Sequence, residues 1–301
     1  MIDSEGLSRP MVIVRVPATS ANLGVGFDVL GIALDLTATF LLTPNDELSI
    51  DGCEERFRGE DNLVWQSYLK TCDILGCEPQ KLRITILSPI PLSGGLGSSA
   101  ACIIAGVGAA MALGPGYDRD TALEIATQIE GHPDNVAPAI LGGLVSSFIE
   151  DGETTSIRMG VAQNFRFVAV TPTYEIRTVE ARRVLPKEVP LSTTVWQMGR
   201  CVAVVRAFET GDAELLAKAN HDLLHEPYRA KLIPDYEPLR EIALDAGACA
   251  FMISGSGTTM LAVTDGGERA KQVSSAFKQS YPDFLVQNLA ANMLGTTVEV
   301  H

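Results

Sequence analysis

Pro89-Ile90-Pro91-Leu92-Ser93-Gly94-Gly95-Leu96-Gly97-Ser98-Ser99-Ala100-Ala101 joins a strand-like segment to a helix-like one. Before it, Leu82 to Leu87 alternates apolar and polar residues; after it, Cys102 to Leu113 is a run of small and apolar residues closed by Gly114 and Pro115. A glycine-rich turn from strand into helix lets the backbone come close to a ligand, and the free N–H groups of the helix's first turn point at an anion. Residues Pro89 to Ser99 therefore predict a phosphate cradle. The stretch lacks the GK[ST] ending of a P-loop, so a purely structural turn stays open as the alternative reading of this loop alone.

Downstream, Asp118 or Asp120 is expected to cap a helix that runs to Glu130 and stops at Gly131, with Pro133 confirming the stop. A carboxylate at that end faces the negative pole of the helix dipole, which disfavours it unless a cation or donor is near. Mg²⁺ would supply one, with the hydroxyl of Ser98 or Ser99 as a second oxygen ligand, since Mg²⁺ takes few protein groups beside substrate phosphates. An exposed acid is the plain alternative. His132-Pro133-Asp134-Asn135 then packs an imidazole, a carboxylate and an amide into one rigid turn, dense in hydrogen-bonding groups. Leu141 to Phe148 reads as a strand entered through Gly142-Gly143.

Upstream, Met11 to Val16 reads as a strand, and Pro17 to Asp28 as a loop rich in turn formers, built to present groups. Gly31 to Leu42 and Glu47 to Ile50 read as strands, and Asp61 as the cap of a helix ending at Gly76. The acidic turn Glu150-Asp151-Gly152-Glu153 suggests a division into residues 1–155 and 156–301. Beyond it come a strand at Phe167 to Val170, helices over Thr193 to Thr210 and Asp212 to His225, and a strand at Ala248 to Ile253. The loop Ser254 to Thr258, a strand at Thr259 to Val263 and a helix at Glu268 to Lys278 follow, which makes the class α+β. His221 and His225, one helical turn apart on that reading, have no third and fourth ligand nearby. Solvent exposure or local hydrogen bonding is expected of them rather than zinc.

At 301 residues, 46% hydrophobic and 20% charged, the chain has globular composition and room for two domains. Its net charge of −14 disfavours nucleic acid and anionic membranes as partners, and requires any bound phosphate to be met by backbone N–H groups or a metal ion. The charge-free run from Ile84 to Tyr117 is broken by Pro89, Pro91 and glycines, so no membrane span is expected. The opening residues put acids before a short apolar run, unlike an export signal, and six cysteines without a CxxC pair fit reduced thiols in the cytoplasm.

Three stretches together resemble the GHMP kinase superfamily: the early loop, PLSGGLGSSA, and ISGSGTTM at Ile253 to Met260. Within it, PATSANLGVGFDVLGIAL and GHPDNVAPAILGG resemble the homoserine kinase family almost residue for residue. The resemblance implies an N-terminal domain like ribosomal protein S5 domain 2, with a rare left-handed βαβ crossover, and a ferredoxin-like C-terminal domain. It implies ATP held at Pro89 to Ser99, Mg²⁺ at Ser98 and Glu130, and Ser256 and Gly257 bordering the cleft. For an amino-acid substrate it implies Asn22 and Asp28 at the polar head, Asn135 and His132 near the reacting hydroxyl, and Arg182 and Arg229 on the carboxylate. Two guanidinium forks suit a carboxylate. Asp134 can act as a base, but the resemblance favours direct attack, with Asp134 positioning the network. A mevalonate-type kinase and a catalytically silent relative are the alternatives, and a homodimer stays open.

Overall fold

The structure, a computed structural model, describes residues 9–92 and 94–301. Ser93 of the glycine-rich loop and the first eight residues lie outside the described residues. In the first half, β1 (Val12–Ala21), β2 (Leu30–Pro44) and β3 (Ser49–Asp51) precede α1 (Leu63–Leu75), β4 (Leu82–Leu87) and α2 (Ser98–Leu113). Then come α3 (Arg119–Glu130), α4 (Pro133–Leu141), β5 (Leu144–Glu150) and β6 (Glu153–Met159). The second half holds β7 (Phe165–Thr171), α5 (Thr178–Arg183), α6 (Leu191–Thr210), α7 (Ala213–Ala219), α8 (Glu226–Arg229) and α9 (Tyr236–Asp245). It closes with β8 (Ala250–Ile253), β9 (Met260–Asp265), α10 (Gly267–Ser280), β10 (Leu285–Leu289) and β11 (Thr297–Val300).

Two sheets organise these elements. The larger has the order β11-β1-β2-β4-β3, with β5 on β2 and β6 on β5. Its parallel pair, β3 and β4, is joined through α1. The smaller sheet, β10-β7-β9-β8, is antiparallel, and in chain order its strands read fourth, first, third, second. With helices between its first and second strands and α10 between its third and fourth, this is the ferredoxin-like arrangement expected. The last strand returns to the first sheet beside β1.

Helix α2 runs through the interior of the first half, which explains why its residues are apolar or small on every face. Gly106 has a backbone reason: a Cβ there would lie 2.4 Å from the Val64 carbonyl, so α1 and α2 approach at the main chain. The core under the large sheet extends to Phe165, Phe167 and Phe208, and a second apolar cluster lies beneath α9 and α10.

Several local expectations are corrected. Strand β1 continues to Ala21, past Pro17, because the ladder with β2 shifts register between Pro17 and Ala18 and so tolerates the missing N–H. Asn62, not Asp61, caps α1, accepting from the N–H groups of Val64 and Trp65. Asp118 caps α3. Pro133 does not merely end a helix; it opens α4, where a missing N–H is harmless, so residues up to Leu141 are helical and β5 starts at Leu144. The turn at Glu150 to Glu153 is a hairpin within the large sheet, so a division at 155 falls inside β6 and cuts it from its partner β5. Helix α7 ends at Ala219, which leaves His221 and His225 off any common helix.

Candidate active site

The glycine-rich loop, the end of β1 and the loop after β8 are laced together. The Thr19 N–H donates to the Leu96 carbonyl and the Thr259 N–H to the Gly94 carbonyl, at 3.1 and 2.9 Å. The Ser254 hydroxyl donates to the Gly95 carbonyl at 2.6 Å and lies 2.9 Å from the Ser20 hydroxyl. Gly95 and Gly97 take φ of 84° and 74°, and a Cβ on either would collide, with the Ser254 carbonyl at 2.3 Å and the Thr19 hydroxyl at 2.1 Å respectively. Both glycines are thus required by backbone hand and by contact. Gly97 is the cap of α2, so the first-turn N–H groups of a 16-residue helix open directly beyond the loop. A cavity of ≈ 220 Å³ borders the same loop at Pro91, Leu92 and Gly94.

Glu130 ends α3 beside that helix start. Its carboxylate accepts a hydrogen bond from Ser99 at 3.0 Å, so the hydroxyl it meets is that of Ser99 rather than Ser98. Burial pushes the Glu130 carboxyl above its usual range, against the pull of Ser99 and His132. A half-buried oxygen donor at the foot of a phosphate-type helix terminus, next to serine hydroxyls, is a hard donor set that fits Mg²⁺. Among the described residues no three His, Cys, Asp or Glu side chains cluster as a metal cage. Mg²⁺ bound mainly through phosphates does not need one.

At the start of α4, the His132 ring Nδ1 lies 2.7 Å from the buried Asp134 carboxylate, and that hydrogen bond raises the imidazole pKa. The neighbouring amide of Asn135 accepts from the Thr19 hydroxyl at 2.8 Å. This fixes which way its NH₂ group faces.

A third cluster gathers on the loop after β1. Asn22 and Asp28 both take left-handed backbone, with φ of 72° and 55°. Asn22 is 3% exposed, and both ends of its amide are engaged: the oxygen accepts from the Asp28 N–H, the nitrogen donates to the Gly255 carbonyl. It shapes the loop that carries Asp28. Arg182, from α5, grips the Asp28 carboxylate through two nitrogens at 3.0 and 3.1 Å. Arg229, on α8, is buried; it donates to the Ala181 and Gly255 carbonyls, and its guanidinium lies 5.1 Å from the Phe27 ring centroid. Ser256 lies 3.3 Å from the Thr178 hydroxyl of α5.

His225 proves to be structural. Its Nε2 is 2.7 Å from the Gly24 carbonyl and must carry the hydrogen, which leaves Nδ1 to accept from Arg229 at 3.4 Å. Burial pushes its pKa down, and the ring stacks on Phe27. Thr19, Phe27, His225 and Ser254 were not singled out by the sequence as site residues. Thr19 and Phe27 stand in the loop that was, and Ser254 opens the second glycine loop; His225 gave no sequence signal beyond its spacing from His221.

The fold and this site define a small-molecule kinase of the GHMP class. The N-terminal domain model of the GHMP kinases matches residues 62–143 and the C-terminal domain model matches residues 204–283; the chain belongs to the GHMP kinases, which are ATP-dependent. Homoserine kinase from Clostridium beijerinckii is 40% identical over 293 residues, covering 96% of each chain. The crystal structure of homoserine kinase from Cytophaga hutchinsonii superposes with a TM-score of 0.87 at 34% identity, over 96% of this chain and 97% of that one. The Methanococcus jannaschii mevalonate kinase shares the fold, with a TM-score of 0.70 at 18% identity over 93% and 98% of the two chains.

Proposed function

We propose that this chain is a homoserine kinase, transferring the γ-phosphoryl group of ATP to the side-chain hydroxyl of L-homoserine to give O-phospho-L-homoserine, a step of threonine biosynthesis. The observation that carries the reading is the pairing of Asp28 with Arg182, backed by buried Arg229. An α-amino acid needs one anion for its ammonium group and cations for its carboxylate, and this cluster holds both. The near full-length likeness to homoserine kinases supports the same substrate.

In this reading Pro89 to Ser99 receive the ATP phosphates on main-chain N–H groups, which the net charge of −14 makes necessary. The cavity beside Pro91 and Leu92 offers room for the nucleoside end. Glu130 and the Ser98 or Ser99 hydroxyl would hold Mg²⁺, which would neutralise developing charge on the phosphates. Asp28 takes the substrate ammonium; Arg182 and Arg229 take the carboxylate. Asn135, aimed by Thr19, meets the reacting hydroxyl, with His132 beside it. Asp134 holds His132 and lies within 3.5 Å of the Asn135 nitrogen, so it orients the pair instead of taking the proton. Phosphoryl transfer proceeds through a loose transition state in which positioning and charge neutralisation outweigh base strength.

The test is ADP release from purified protein with ATP and Mg²⁺ and, separately, homoserine, mevalonate, galactose and shikimate. Homoserine is expected to give the highest kcat/KM. Faster turnover of mevalonate, which has a carboxylate but no ammonium group, would overturn the assignment and leave Asp28 without its role.

A further inference from the structure

Arg229 is 3% exposed, a buried cation without a carboxylate of its own. Among the described residues its hydrogen-bond partners are the Ala181 and Gly255 carbonyls and the His225 ring, while the Asp28 carboxylate is gripped by Arg182. Burial lowers the pKa of the Arg229 guanidinium; Asp28 opposes the fall and Arg182 adds to it. A charge held in such a place needs compensation from its surroundings.

The Phe27 ring supplies part of it. Its centroid lies 5.1 Å from the Arg229 guanidinium and 6.0 Å from that of Arg182, both within reach of a cation–π contact. The ring is fixed from both sides along the chain. The Gly24 and Val25 carbonyls before it accept from His225 and Gln197, and the Asp28 N–H after it donates to the Asn22 amide. It also stacks on the His225 ring, with centroids 5.3 Å apart.

An aromatic face and a carboxylate answer a cation differently. A carboxylate against Arg229 would form a salt bridge and leave it with little attraction for a further anion. A ring quadrupole carries no net charge, so it steadies the guanidinium and leaves its attraction for a ligand anion intact. Neighbouring residues thus treat the two arginines differently: Asp28 holds Arg182 by an ion pair, and Phe27 holds Arg229 by an aromatic face.

We propose that Phe27 is a positioning residue of the carboxylate site, whose π face keeps the buried Arg229 charge in place without neutralising it, leaving that charge for the substrate's carboxylate. The inference rests on the amino-acid kinase reading for its substrate.

Replacing Phe27 by mono-, di- and trifluorophenylalanine through nonsense suppression tests this, because fluorine drains the negative face of the ring while nearly keeping its size. With ATP and Mg²⁺, kcat/KM for homoserine should fall stepwise to about tenfold below wild type at the trifluoro ring, through KM, with the KM for ATP within about twofold. Phe27→Leu, apolar but without a π face, should lose at least as much, and Phe27→Tyr should stay close to wild type. A second readout needs no substrate. Hydrogen exchange at the Arg229 Nε–H, which donates to the Ala181 carbonyl, should quicken in the same order when followed by NMR. Homoserine kinetics that are flat across the fluorinated series, even with a loss in Phe27→Leu, would reduce Phe27 to a packing residue and overturn the proposal. If wild type leaves homoserine unphosphorylated, the substrate reading fails separately, and the exchange series decides alone whether the ring holds Arg229; no change with fluorination would then overturn it.

Discussion

Arg182 and Asp28, 154 residues apart in sequence, meet fork to fork at 3.0 and 3.1 Å. Their side chains are 42% and 35% exposed, so the pair contributes only ~0–1 kcal/mol to stability. It is cheap to open. An α-amino acid carries the complement of each partner, so on the proposed reading binding would exchange one weak internal pair for two pairs to the ligand. The Asp28 backbone is held in its left-handed conformation by the Asn22 amide, so the carboxylate is aimed before the ligand arrives.

Asp28→Asn is therefore expected to raise the KM for homoserine by roughly 10- to 100-fold, the loss of one charge-assisted contact. The KM for ATP should stay within about twofold, because the phosphate loop bonds to Thr19, Ser254 and Thr259 and not to Asp28. Steady-state kinetics with each substrate varied in turn decides it. Equal losses for both would assign Asp28 to folding.

The two arginines should separate in a thermal melt. Arg182→Ala removes a half-exposed side chain whose partner can be solvated, so the melting temperature should barely move while homoserine binding weakens by about 2–5 kcal/mol. Arg229→Ala leaves the Ala181 and Gly255 carbonyls without their donor in a buried place, and should cost about 1–3 kcal/mol of stability in addition to binding. A binding loss from Arg229→Ala with no loss of stability would contradict the structural half of its role.

Glu130→Gln keeps the shape and the Ser99 contact but removes the charge. The Mg²⁺ concentration needed for half-maximal rate should rise by about tenfold or more, with the melting temperature held or increased, since an ionised carboxylate no longer has to be buried. Titrating Mg²⁺ against rate checks it; an unchanged requirement would reduce Glu130 to a helix-end acid.

The candidate loops were legible because they are written in rare local chemistry: glycines with forced backbone, serines and a carboxylate at helix ends. Glu130, His132 and Asn135 are close in sequence to the turn that carries them, so local reading put them forward as candidates; the hydroxyl on Glu130 is that of Ser99, where the resemblance implied Ser98. The contacts that join Arg182 to Asp28, Thr19 to Asn135 and Ser254 to Gly95 span 154, 116 and 159 residues, and no local pattern announces such a pairing. Arg182 and Arg229 came from resemblance alone. The helix α4 was missed because Pro133 reads equally as a stop and a start. The division at 155 lands inside β6 because an acidic turn marks a hairpin as readily as a linker.

Glu226 provides a test on stability. It is buried at the start of α8, where one carboxylate oxygen accepts from the Ile253 N–H at 2.7 Å and the other lies 3.5 Å from the Tyr236 hydroxyl. Burial raises its pKa to about 8, and the nearby Asp222 adds to the rise, while the Ile253 N–H and Arg240 oppose it. The ordinary value is 4.5, so between pH 4.5 and about 8 the folded chain holds a proton here that the unfolded chain has lost. Folding is then linked to proton uptake. The contribution is fully present below pH 4.5, declines as pH rises, and is gone once pH passes about 8. Glu226→Gln cannot titrate and retains an oxygen for the Ile253 N–H. Relative to wild type it should gain on the order of 2–4 kcal/mol between pH 5 and pH 9, measured by urea denaturation across that range. A difference between the two proteins that does not change with pH would mean that Glu226 is ionised throughout and that the Ile253 contact, not the proton, holds it in place.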